Sequence, residues 1–222
     1  MSQSTLYTAL IWIVPLVIAI VFHEVAHGKV AHLLGDPTAA ERGRLSLNPI
    51  RHIDPFGTII LPLILALSGA PVFGWAKPVP VVPQRMRNPR WGMVVTAAAG
   101  PATNFVLALV STIGFALTAD KLPWLAAVFG ASVMVNIFLG VFNLLPLPPF
   151  DGSKVLGGFL PPPLDTAYAR LDRYALLIFI ALLLVLPRID PRLDVIAQLV
   201  NPPVDWLLTH LRALAQWLVG GA

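Results

Sequence analysis

From Met1 to Phe22 the chain contains no Asp, Glu, Lys or Arg, and four further apolar stretches follow, over residues 57–73, 94–119, 124–147 and 174–186. A run of about 20 uncharged apolar residues is the length a helix needs to cross the hydrocarbon of a bilayer. Inside that hydrocarbon the backbone must satisfy its own polar groups, which restricts the chain to helices or a closed barrel. Charged residues make up only 12% of the sequence and hydrophobic residues 57%, against about 25% charged in soluble domains. The expected fold class is therefore an all-α polytopic membrane protein, a bundle of about four to six membrane segments. The first span is read as 6–34 and, lacking a basic region ahead of it, as retained rather than cleaved. No basic run points to nucleic acid, and with no cysteine there is neither a disulfide nor a thiolate ligand.

At the end of the first run stands His23-Glu24-Val25-Ala26-His27. Histidines at i and i+4 lie one above the other on a helix face and can share a zinc ion, with the intervening Glu placed to act on its water. Two such histidines in a soluble protein would more readily be core residues. Within a membrane segment idle ionisable groups are rare, which favours the metal reading.

Charge parity sets the topology. Arg42, Arg44 and Arg51 precede residues 57–73, and Arg85, Arg87 and Arg90 follow them. The positive-inside rule assigns both clusters to the cytoplasm, so 57–73 must enter the membrane and return on the same side. Pro62, Gly69 and Pro71 suit such a re-entrant segment better than a straight helix. The N-terminus is then outside, 94–119 runs outward and 124–147 returns inward, in a cell membrane. Residues 1–158 form the expected catalytic core. Residues 159–222 add a short apolar segment and, after Asn201-Pro202-Pro203, an amphipathic helix read as interfacial or, equally, as a packing element.

A catalytic zinc commonly takes three protein ligands and keeps a fourth position open. Without cysteine the third must be His or carboxylate, and Asp151 is the best placed, at the cytoplasmic end of the fourth apolar stretch. An Asp-Gly pair after prolines is also a common turn. Asn104 and Asn143 fall in the same half of the membrane, able to bond a substrate carbonyl, orient a ligand or simply join helices. His32 faces away from the pair, His52 is expected to serve its loop, and His210 to be solvated.

Together, His23-Glu24-x-x-His27, Gly100-x-x-x-Asn104 and Asn143-x-x-Pro146-x-Pro148-x-x-Asp151-Gly152 resemble the site-2 protease family of intramembrane zinc metalloproteases. Gly43-Arg-Leu-Ser-Leu-Asn-Pro49, His52-Ile-Asp-Pro55 and Gly74-Trp-Ala-Lys-Pro78 look like its small bacterial and archaeal members. The resemblance covers roughly residues 20–158 and lacks the PDZ and nucleotide-sensing domains of other members. It implies one Zn2+ held by His23, His27 and Asp151, with Glu24 as catalytic base. It also implies cleavage of single-span membrane substrates near the cytoplasmic side of the bilayer. A substrate helix must open before attack, and either Thr58-Ile-Ile-Leu61, which is β-prone, or the proline-rich 75–83 is expected to lend it a strand edge. Two other readings stand beside this one, a catalytically idle relative that binds membrane helices and a divalent-metal transporter. Oligomeric state is not legible.

Overall fold

The computed structural model describes residues 3–69 and 74–220 of the 222-residue chain. Among these residues the regular structure is entirely helical. Three helices are long and apolar enough to cross a membrane: the first within α1 (Gln3–Leu33), then α3 (Pro89–Thr118) and α4 (Pro123–Asn143). Between them lies α2 (Leu61–Ser68), entered through a π-helical turn over Pro55–Ile60. Beyond them come α5 (Asp151–Phe159), a helical stretch running from Leu164 to Ile189, and α6 (Val195–Gly220).

Helices in lipid gain little from hiding apolar surface, so close packing of small residues must hold them together. The buried face of α3 carries Ala97, Gly100, Asn104, Ala108 and Ser111, at helical spacing. Two glycines receive aromatic rings across the α3–α4 contact. A Cβ on Gly140 would lie 2.7 Å from Phe105, and one on Gly114 would lie 2.7 Å from Phe129. At the far side, Ile137, Val141, Leu145 and Phe150 pack with Val200, Val204 and Leu208 of α6. The C-terminal helix α6 thus packs along α3 and α4. It also starts at Val195, eight residues before Pro203, so Pro202 and Pro203 lie inside the helix rather than ahead of it. The 174–186 stretch does recruit residues before it, since helical structure is continuous from Leu164.

The two ends of the segment after Gly57 lie against each other. Trp75 N–H donates to Gly57 O at 3.1 Å, and Thr58 Oγ1 donates to Trp75 O at 2.8 Å, so the chain is back beside its entry point. The approach leaves no space for side chains. A Cβ on Gly57 would strike the Trp75 indole, and one on Gly74 would strike Gly57 O. Residues 70–73, the end of the expected re-entrant segment, lie outside the described residues. The two basic loops also interlock: Val82 N–H donates to Asp36 at 2.6 Å, Arg87 N–H to Leu34 O at 3.0 Å, and Arg85 pairs with Glu41 at 2.8 Å. Both loops thus sit at the same end of the bundle.

One expectation is overturned. Thr58-Ile-Ile-Leu61 is helical, not extended, because Asp54 accepts the Gly57 N–H at 2.7 Å and Pro55 presets the first turn. Local capping prevails over the β-propensity of two isoleucines. Among the described residues between Pro55 and Pro83, the non-helical run is residues 74–82. The fourth apolar stretch is also shorter as helix than as sequence. α4 stops at Asn143, three residues before Pro146, and residues 144–150 form turns.

Candidate metal centre

His23 and His27 project from the same face of α1 toward α3, both more than nine-tenths buried. Each ring has one nitrogen committed to an acceptor. His23 Nδ1–H donates to Asn104 Oδ1 at 2.6 Å, and His27 Nδ1–H donates to the Thr96 carbonyl at 2.7 Å. With both protons on Nδ1, both Nε2 atoms carry lone pairs. Those two atoms are 3.0 Å apart, and Asp151 Oδ2 lies 3.1 Å from one and 3.2 Å from the other.

Three lone-pair atoms converging from buried side chains repel one another unless a cation is shared among them. Their spacing suits one. Ligands about 2.0–2.1 Å from a tetrahedral zinc are about 3.3 Å from each other. Both histidines also have the outer-shell partners that metal-ligating imidazoles generally need. Among the described residues, His23, His27 and Asp151 are the one group of three or more such side chains that could hold a metal ion. Gly100 allows the approach of α3: a Cβ there would lie 2.6 Å from His23 Nε2 and closer still to His27 Nε2.

Asp151 reaches the pair from α5, of which it is the first residue. The preceding turn is anchored by Phe150, 6% exposed, whose ring centroid is 4.5 Å from that of Phe142. Ser153 Oγ–H donates back to Phe150 O at 2.7 Å, and Tyr168 O–H donates to Pro146 O at 2.7 Å. Gly152 is needed because a Cβ would meet the Leu144 carbonyl. The Asp-Gly pair is thus a helix start held by a packed turn, not a solvated loop.

Glu24, one position round the helix, points to a different neighbour. Its Oε2 accepts the Val79 N–H at 2.8 Å. Val79 belongs to the extended segment, where alternate residues face inward: Lys77 N–H donates to His52 O at 2.9 Å and Arg44 donates to Lys77 O at 2.6 Å. Asp36, fully buried, fixes the far end of this strap through Val82 and also accepts from Thr38. Burial opposes ionisation of Asp36, but the hydrogen bonds from Thr38 and Val82 and the Arg85 charge outweigh it and leave its pKa lowered.

The remaining sequence candidates separate clearly. Asn104 is fully buried, with its oxygen on His23 and its nitrogen donating to Asn136 Oδ1 at 2.9 Å. Asn143 donates to Leu139 O of its own helix at 3.0 Å and is hydrogen-bonded to none of the three clustered side chains. His52 binds Ser46 O at 2.8 Å, His210 binds Trp206 O at 2.7 Å, and His32 is exposed. Three groups at the site were not anticipated from sequence: the Thr96 carbonyl, the Val79 N–H and Asn136.

Comparison with known proteins is consistent with this centre. The family model for peptidase family M50 matches residues 117–186. A Bacillus subtilis protein named "Putative zinc metalloprotease YwhC" is 36% identical over 178 residues, covering 77% of this chain and 78% of its own length. "Putative zinc metalloprotease Rip2" of Mycolicibacterium smegmatis is 32% identical over 166 residues, 73% of this chain and 62% of Rip2. No solved structure matches the chain.

Proposed function

The chain belongs to peptidase family M50, the site-2 protease family, and from that premise we propose that it is an intramembrane zinc metalloprotease acting on single-span membrane proteins. The observation that carries the reading is the triangle of His23 Nε2, His27 Nε2 and Asp151 Oδ2, with sides of 3.0 to 3.2 Å, beside Glu24. These three side chains would hold one Zn2+. When bound, that ion supplies Lewis acidity toward a peptide carbonyl and makes water a nucleophile near neutral pH. The histidines keep their lone pairs on the ion by donating Nδ1–H to Asn104 and Thr96. Glu24, one oxygen held by Val79 N–H, takes the proton of the attacking water at its other oxygen. It returns that proton to the leaving amine nitrogen. Asn104 already spends its oxygen on His23 and its nitrogen on Asn136, so its role is to orient His23. Asn143 is the asparagine with a donor left for a substrate carbonyl.

The opened substrate would lie along the strap. Because residues 75, 77 and 79 turn their backbone groups inward, Ala76, Pro78 and Pro80 face the other edge. Two prolines there remove the donors, so a substrate strand could only donate to their carbonyls. The basic loops at the metal end support a site opening toward the cytoplasm of a cell membrane, with the N-terminus outside. The intact bilayer and substrate are the expected partners.

The testing experiment places purified enzyme in liposomes with a panel of single-span substrates and maps products by mass spectrometry. Cleavage is expected within the transmembrane segment, nearer its cytoplasmic end. It should stop with a zinc chelator and return when zinc is restored. Cleavage confined to soluble flanking regions, or insensitive to chelation, would contradict the proposal. Zinc uptake into the liposomes unaffected by Glu24→Gln, without cleavage, would support a transporter instead.

A further inference from the structure

We propose that Asn136, in the middle of α4 and outside every motif quoted above, is a positioning residue for metal binding. Through Asn104 it holds His23 in the tautomer whose Nε2 lone pair faces His27 and Asp151. The proposal rests on the zinc reading above.

A buried primary amide has two orientations that exchange its donor and acceptor, and its neighbours decide between them. Asn104 has His23 Nδ1 on one side and Asn136 Oδ1, at 2.9 Å, on the other. Its nitrogen has one other acceptor, Ala19 O at 3.4 Å, too long to hold it strongly. The orientation of Asn104 is therefore set by Asn136. Asn136 is set in turn by its own helix: its Nδ2 donates to the Ser132 carbonyl at 2.9 Å and to Ser132 Oγ at 3.2 Å. A carbonyl cannot donate, so the NH2 of Asn136 must face Ser132 and its oxygen must face Asn104. Polarity is thus passed from a backbone carbonyl of α4, through two amides 1% exposed or less, to the imidazole of His23.

Removing the Asn136 acceptor would release Asn104 to turn over. Its NH2 would then face His23 Nδ1, which could be an acceptor only by moving its proton to Nε2. That proton would point at His27 Nε2 and Asp151 Oδ2, where a ligand lone pair is required. Ser132 Oγ also bonds Ser111 Oγ at 2.8 Å, but that contact does not fix the amides.

The test measures zinc dissociation constants by chelator competition on the full chain in detergent, with thermal unfolding recorded alongside. Asn136→Leu, similar in volume and apolar, should bind zinc about 10–100-fold more weakly. Asn136→Asp should stay near wild type, because a neutral carboxylic acid in this setting can donate to Ser132 O and still accept from Asn104. Ser111→Ala should also bind as wild type does. Should Asn136→Leu fail to fold, Asn136→Ala takes its place with the same expected loss. Wild-type affinity in either, or an equal loss in Asn136→Asp, would overturn the proposal while leaving the zinc reading standing. A wild-type chain that binds no zinc would overturn both.

Discussion

Glu24→Gln should lower the cleavage rate by about 10²–10⁴-fold, the usual contribution of a positioned general base, without changing zinc content. Glutamine keeps the size of the side chain, and its carbonyl oxygen can still accept the Val79 N–H that Glu24 Oε2 accepts at 2.8 Å. The strap over residues 74–82 should therefore stay in place. What is lost is a group that can take a proton from water and give it up again. The effect should fall on kcat, because Glu24 is not one of the three converging ligand atoms. Equal cleavage by wild type and Glu24→Gln, measured on the same single-span substrate, would remove Glu24 from the chemistry.

Asp151→Ala should have the second large effect, on metal retention. Zinc sites bind with about 10–16 kcal/mol, so one ligand among three or four is worth roughly 3–4 kcal/mol, or about 10²–10³ in affinity. The loss should be larger than this division suggests in one respect. Removing Asp151 leaves two imidazole lone pairs 3.0 Å apart and takes away the one negative charge among the three converging ligands. The variant should still fold, because the turn before α5 is held by Phe150, Ser153 and Tyr168 rather than by Asp151. Purified Asp151→Ala should thus contain little zinc while keeping its helical circular dichroism. Full zinc occupancy in that variant would exclude Asp151 as a ligand.

How much could be read from sequence depends on whether a group's position follows from local periodicity. His23 and His27 were legible because a helix alone brings i and i+4 together, and an uncharged run guarantees the helix. The return of the segment after Gly57 was legible because basic residues flank it on both sides, a rule that needs no knowledge of packing. Asp151 required only that two membrane segments end at the same depth. The extended strap followed from its prolines, but its contact with Glu24 did not, since a backbone N–H carries no sequence signature. The Thr96 carbonyl was hidden for the same reason. Thr58-Ile-Ile-Leu61 is helical because the Asp54 cap and Pro55 ahead of it outweigh the β-propensity of its isoleucines. Asn136 carries a sequence signal of its own. It is an amide in the middle of an apolar span, the same ground on which Asn104 was singled out. Its importance depends on which face of α4 meets α3, and that is a matter of tertiary packing.

The most direct measurement is X-ray absorption at the zinc edge on the purified protein, with metal counted in the same sample. One zinc per chain is expected, bound by nitrogen and oxygen at about 2.0–2.2 Å, with scattering from two imidazole rings. The spectrum should lose one imidazole in His27→Ala. A chain that purifies with no zinc, or a zinc whose spectrum is unchanged in His27→Ala, would contradict a metal centre built from His23, His27 and Asp151.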